Sequence, residues 1–97
     1  MTQALHTQLI PKVDDEAPCA AEITRYDQEH FVTYARLLDA EAERANWRDV
    51  VRLVLRRNPD TEPTLSRRCW QSHLDRARWI ATAGYQQLVT RAAAKQA

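Results

Sequence analysis

Arg67, Arg68 and Gln71 lie within little more than one helical turn, in the run Ser66-Arg67-Arg68-Cys69-Trp70-Gln71-Ser72. A guanidinium and a carboxamide both make paired hydrogen bonds to planar acceptors, among them the guanine and adenine edges of DNA. Upstream, Arg48, Arg52 and Arg56 recur every fourth residue, a step that lines one helix face with cations able to meet phosphates. Arg67, Arg68, Gln71, Arg48 and Arg52 are therefore the candidate nucleic-acid contacts. A second row, Arg68, Ser72, Asp75 and Trp79, follows helical spacing on the side away from Trp70, Leu74 and Ala77. A tryptophan on a polar face, flanked by Arg76 and Arg78, has the make-up of a protein-interface anchor. Trp79, Arg68, Ser72, Asp75 and Arg76 are the candidate partner-binding residues.

Groups that would act on a substrate are not assembled in the sequence. It has no glycine-rich phosphate loop, no HExxH helix and no nucleophile–base–orienter set. His6 falls in the N-terminal stretch, His30 in the first turn of a helix and His73 on an apolar stripe, positions expected of packed side chains. Cys19 and Cys69 lack the CxxC spacing of a zinc site and are too few for a disulfide framework, so both are expected to be reduced thiols. No enzymatic activity, cofactor or metal is expected.

The elements that must position these residues follow from composition. A chain of 97 residues supports one small core. It contains a single glycine, Gly84, and no Asn-Gly signal to close a hairpin, while helix-forming Ala, Arg, Leu, Gln and Glu are abundant. An all-α bundle of about four helices is expected. No apolar run approaches the roughly 20 residues of a membrane span, and the N-terminus lacks a basic region followed by an apolar stretch, so the expected location is the cytoplasm. The net charge of +1 conceals an uneven distribution. Nine of the 13 acidic residues precede Trp47, whereas ten of the 14 basic ones lie from Arg48 onward. Twelve of the 14 cations are arginine, the residue suited to bidentate contact with phosphate or carboxylate.

Residues 1–25, with Pro11, Pro18 and the run Asp14-Asp15-Glu16, read as a flexible acidic leader. Asp27 is the expected N-cap of a first helix whose inner face is Phe31, Tyr34, Ala35, Leu38 and Ala42. Asn46 caps a second helix with Val50, Val51 and Val54 inward, ended by Asn58-Pro59. Thr64 or Ser66 caps a third, with Trp70, His73, Leu74, Ala77 and Ala81 inward. Gly84 is expected to stop it in a left-handed C-cap. Tyr85, Leu88 and Val89 then suggest a short helix closing back on the core, before a frayed tail over 92–97. The second and third helices, joined by a proline-bounded connection, have the form of a helix-turn-helix pair.

The run Asn46-Trp47-Arg48-Asp49-Val50-Val51-Arg52-Leu53-Val54-Leu55 and the later RRCWQSHLDRARWIATAGYQQLV of residues 67–89 carry a resemblance. They resemble a proteobacterial family long described as a domain of unknown function, borne on integrative and conjugative elements and regarded as an extended-turn helix-turn-helix. The resemblance covers residues 26–91. It implies that longer members are transcriptional activators of element excision and transfer, whose helix-turn-helix domain contacts DNA. It also implies that short members are antiactivators, which imitate that domain and occupy the activator's N-terminal domain. On this resemblance the chain is expected to be a monomeric antiactivator with weak or no affinity for nucleic acid and none for membranes. Its partner would be such an activator, with a LuxR-type quorum-sensing regulator as a second partner. The residues leave two alternatives open: a small DNA-binding repressor or excisionase-like protein using Arg67, Arg68 and Gln71, and a helical oligomerisation module using Trp79.

Overall fold

The computed structural model describes residues 11–96, and among them every regular element is helical. Helix α1 (Arg25–Glu29) meets α2 (Phe31–Ala42) at His30. Helix α3 (Trp47–Val50) continues as a wider π-type turn over Val51–Leu55. Helix α4 (Pro63–Trp79) passes through a second such turn, Ile80–Gly84, into α5 (Tyr85–Gln96). The expected all-α bundle is therefore the fold. No helix of the described residues is long and apolar enough to cross a membrane.

Several local expectations are corrected. Thr24, not Asp27, caps α1: its hydroxyl accepts the Asp27 amide at 3.1 Å while Asp27 Oδ2 accepts the Thr24 amide at 2.8 Å. This reciprocal capping box places Asp27 in the first turn, turned inward. Because the chain bends at His30, the inner face of α2 is rotated from the expected one. Thr33, Tyr34 and Leu37 are buried, Phe31 and Leu38 are partly covered, and Ala35 and Ala42 face solvent. Asn46 does cap α3, its Oδ1 accepting the Arg48 amide at 2.8 Å. The helix stops at Arg56, which takes a left-handed conformation at φ 57°, before Asn58-Pro59 is reached. Pro63 is the first residue of α4 and no side chain caps it, so Thr64 and Ser66 lie inside the helix.

Gly84 does not end a helix. Its φ is not positive, and a Cβ there would sit 3.1 Å from Cζ3 of Trp79, so the missing side chain makes room for the indole. The wide turn brings Gly84 under that ring, and the Thr82 hydroxyl donates to the Arg78 and Trp79 carbonyls at 3.2 Å each. Helix α5 consequently extends the line of α4 instead of folding back, leaving Tyr85 and Val89 exposed. The residues expected to form a frayed tail are helical as far as Gln96.

The largest difference concerns the leader. Its residues 1–10, and Ala97 of the tail, lie outside the described residues. Residues 11–24 form no regular element, yet they run as a strap across α4 and are held along their length. Val13 joins the core, and Ile23 is buried. His30 Nε2 lies 2.9 Å from the Lys12 carbonyl, Cys69 Sγ donates to the Asp14 carbonyl at 3.4 Å, and Gln87 Nε2 donates to the Ala21 carbonyl at 2.8 Å. A segment without periodicity is ordered here because side chains of the helices satisfy its backbone groups.

Arg76 is the strongest of these anchors and is buried, not presented to a partner as expected. Its Nε and Nη2 donate to the two Asp27 carboxylate oxygens at 3.1 and 2.7 Å. Its Nη1 donates to the Ala20 carbonyl at 2.6 Å, and its Nη2 also donates to the Glu22 carbonyl at 2.8 Å. Tyr34 Oη completes the shell of Asp27 at 2.8 Å. Removing one partner of a buried pair leaves the other charge uncompensated. Asp27→Asn or Arg76→Met should therefore lower the unfolding free energy by about 3–5 kcal/mol in urea titrations. The double substitution Asp27→Leu/Arg76→Leu should cost clearly less than the sum of the two single changes to leucine.

Candidate partner-binding surface

Ser66 and Cys69 in the N-terminal half of α4 are buried, and its opposite side carries the candidate recognition residues. Arg67 is exposed, and its guanidinium lies 5.0 Å over the Trp47 ring and 4.9 Å over the Trp70 ring. The two indole rings are 6.2 Å apart, half-buried and packed on the core, and Arg48 approaches Trp47 at 4.9 Å. Arg67, Arg68 and Gln71 line one shallow groove with Pro63, Thr64, Ser72 and Asp75. Gln71 Nε2 donates to Asp75 Oδ1 at 2.9 Å, which turns its amide along the helix.

Carboxylates of the same chain meet most cations of this helix pair. Arg52 contacts Asp60 at 3.1 Å and Asp49 at 3.4 Å, and Arg48 reaches Asp60 at 3.7 Å. The strap supplies two more counter-charges: Asp15 lies 2.8 Å from Arg57, and Glu16 lies 3.8 Å from Arg68. Arg78 pairs with Glu41 and, at 3.5 Å, with Asp75. Burial, the largest single influence, would lower the pKa of Arg57, but the hydrogen bond to Asp15 together with the nearby charges of Asp15, Glu62 and Cys69 outweighs it and leaves it raised.

The expected Trp79 row is brought together on α4, but much of it is occupied inside the molecule. Trp79 is half-buried, with the Arg76 guanidinium 4.2 Å above its ring and Gly84 against its edge. Ser72 Oγ donates to the Cys69 carbonyl and accepts the Ala17 amide of the strap, both at 3.1 Å. Arg68 and Asp75 alone of the row are exposed. Helical spacing groups these residues on one side of α4, and it could not show that the strap crosses that side.

Beneath the strap lies a polar chain that sequence reading missed. Tyr26 Oη accepts the Asp14 amide at 2.9 Å and stands 2.6 Å from His73 Nε2. His73 Nδ1 is 2.7 Å from the Cys69 carbonyl. These contacts fit one tautomer, in which Nδ1–H donates to the carbonyl and Nε2 accepts from the tyrosine. Cys69 Sγ is only 3.7 Å from His73 Nδ1, yet the Nδ1 proton is directed to the carbonyl. Burial pushes the Cys69 thiol up to about 11, the Tyr26 hydroxyl up to about 12, and His73 below its ordinary value. The thiol thus stays protonated and helps to hold the strap. For the separate Asp27–Arg76 pair a local signal was present as Thr24-x-x-Asp27, a capping-box spacing that assigns the cap to Thr24. Among the described residues no group of three His, Cys, Asp or Glu side chains is placed to hold a metal ion.

Compared with known protein families and with curated proteins, the chain matches none.

Two buried groups set an acid sensitivity with a definite sign. Burial would raise the Asp27 carboxyl, but Arg76, the Thr24 amide and the Tyr34 and Thr24 hydroxyls outweigh it and hold it below the ordinary 3.8. Its stabilisation is complete above that value and is lost as pH falls toward the folded-state pKa. Burial holds His73 below 6.5, so the unfolded chain takes up its proton first and folding weakens as pH falls below 6.5, well above the Asp27 range. The stability difference between wild type and His73→Gln should accordingly narrow between about pH 7 and pH 5 in thermal melts; a constant or widening difference would contradict this.

Proposed function

We propose that this protein is an antiactivator: it binds the N-terminal domain of a transcriptional activator and blocks activation of excision and transfer of an integrative and conjugative element. The observation that carries this reading is the internal neutralisation of its helix pair. Arg48 and Arg52 meet Asp60, Arg57 meets Asp15, and Arg68 meets Glu16. DNA binding gains from releasing counter-ions when free cations meet phosphates, and a face that carries its own carboxylates gains less. A helix pair joined by an extended connection, with most of its cations paired internally, suits a domain that imitates an activator without replacing it on the promoter. Such an imitator competes with a tethered domain, so it needs anchors good enough to exceed the tether's effective concentration. In this reading it acts in the cytoplasm as a monomer, and a LuxR-type quorum-sensing regulator is a second candidate partner.

The alternative, a small DNA-binding repressor or excisionase-like protein, draws support from Arg67, which forms no ion pair among the described residues. The two readings separate in paired assays. The wild-type chain should be retained by the isolated N-terminal domain of the activator and should give no specific gel shift with element promoter DNA at about 150 mM salt. Specific promoter binding at that salt, with no retention by the activator domain, would reject antiactivation in favour of repression.

A further inference from the structure

Arg67 is held differently from the arginines around it. Arg48, Arg52, Arg57, Arg68 and Arg78 each approach a carboxylate, whereas Arg67 lies across Trp47 and Trp70. Guanidinium stacked on aromatic rings has its faces covered and its in-plane N–H groups left at the edge. The rings are themselves rooted in the core, so the side chain is pre-positioned and little rotamer freedom remains to be lost on binding.

We propose that the Trp47–Arg67–Trp70 cluster is the docking surface of this protein, and that it receives a carboxylate from an exposed acidic segment of a protein partner. The guanidinium edge matches a carboxylate in a two-bond fork, and the flanking indoles offer apolar contact to the methylene groups of Asp or Glu. Tryptophan and arginine together are the side chains that dominate interface centres. A polyanionic backbone fits less well. Asp60 and Asp75 already cancel the neighbouring cations Arg48, Arg52 and Arg78, and Glu62 just ahead of α4 forms no ion pair among the described residues. This face therefore offers Arg67 to one or two carboxylates and no row of free cations to a row of phosphates. The proposal rests on the protein-binding reading above and names its surface, in place of the Trp79 row that the fold uses internally.

The test is an NMR titration of the full ¹⁵N-labelled chain with a short peptide that carries two glutamates. It is followed through the indole N–H signals of Trp47 and Trp70 and the Nε–H signal of Arg67. These three signals should move together, and the shifts should fade as salt is raised to about 0.5 M. Arg67→Lys keeps the charge but not the flat fork, and should weaken the interaction about tenfold with an unchanged thermal melt. Arg91→Ala on α5 should leave it unaltered. If the three signals stay still, the proposal fails whatever the activator does. If wild type and Arg67→Lys are retained equally by the activator domain, the docking surface is wrong while antiactivation stands. Movement with the peptide but no retention supports the surface and removes the activator as its partner. A DNA duplex that shifts the same signals at a lower total concentration of charge than the peptide overturns the proposal in favour of nucleic acid.

Discussion

The buried ion pair between Asp27 and Arg76 ties together parts of the chain that sequence distance keeps far apart. Asp27 stands in the first turn of α1 and Arg76 near the end of α4, and both are almost wholly removed from water. Two charges so placed are tolerable only when nearly every donor and acceptor finds a partner. Tyr34 from α2, the Thr24 cap and the carbonyls of Ala20 and Glu22 complete that set. One interaction therefore sets the entry of α1, the rotation of α2 and the path of the strap over α4. The Arg76 guanidinium also covers the Trp79 ring, which in turn requires the bare Cα of Gly84 and the wide turn that carries α4 into α5.

Once the strap is fixed, the charge on the helix pair is fixed with it. Asp15 and Glu16 arrive beside Arg57 and Arg68 because Val13 is in the core on one side and Ala20 is bonded to Arg76 on the other. The exposed pairs contribute little to stability, since solvent screens them and ordering long side chains opposes them. Their effect is on the field: they blunt the attraction of α3 and α4 for polyanions and leave Arg67, stacked on two tryptophans, as a distinct group. Stability comes from the core and the buried pair, while recognition depends on how the surface charges are cancelled.

The helical class, the Asn46 cap and the inward positions Val50, Val51, His73, Leu74 and Ala77 were legible because each follows from local spacing. Misreadings fell where a local rule met a distant partner. Asp27 satisfies the composition of an N-cap, yet Thr24 does that work and frees Asp27 for Arg76. Gly84 has the position of a helix stop, yet the ring of Trp79 needs its missing side chain. Arg76 looked like an interface residue because charge is normally exposed, and only its carboxylate and carbonyl partners make burial tolerable.

Composition and periodicity alone determined that this chain is an all-α bundle, where its arginines concentrate, and that its acid lies mainly in the N-terminal half. Those are properties of neighbours along the chain, and backbone propensity and apolar spacing act at that range. Tertiary structure decided which arginines are buried, which are neutralised and which remains stacked and unpaired. Each of those outcomes needs contacts across tens of residues, as between Asp15 and Arg57, Asp27 and Arg76, or Trp47 and Arg67. A charge counted in sequence has no partner until folding brings one within reach, so the total of +1 describes the chain, while its pairings describe the surface.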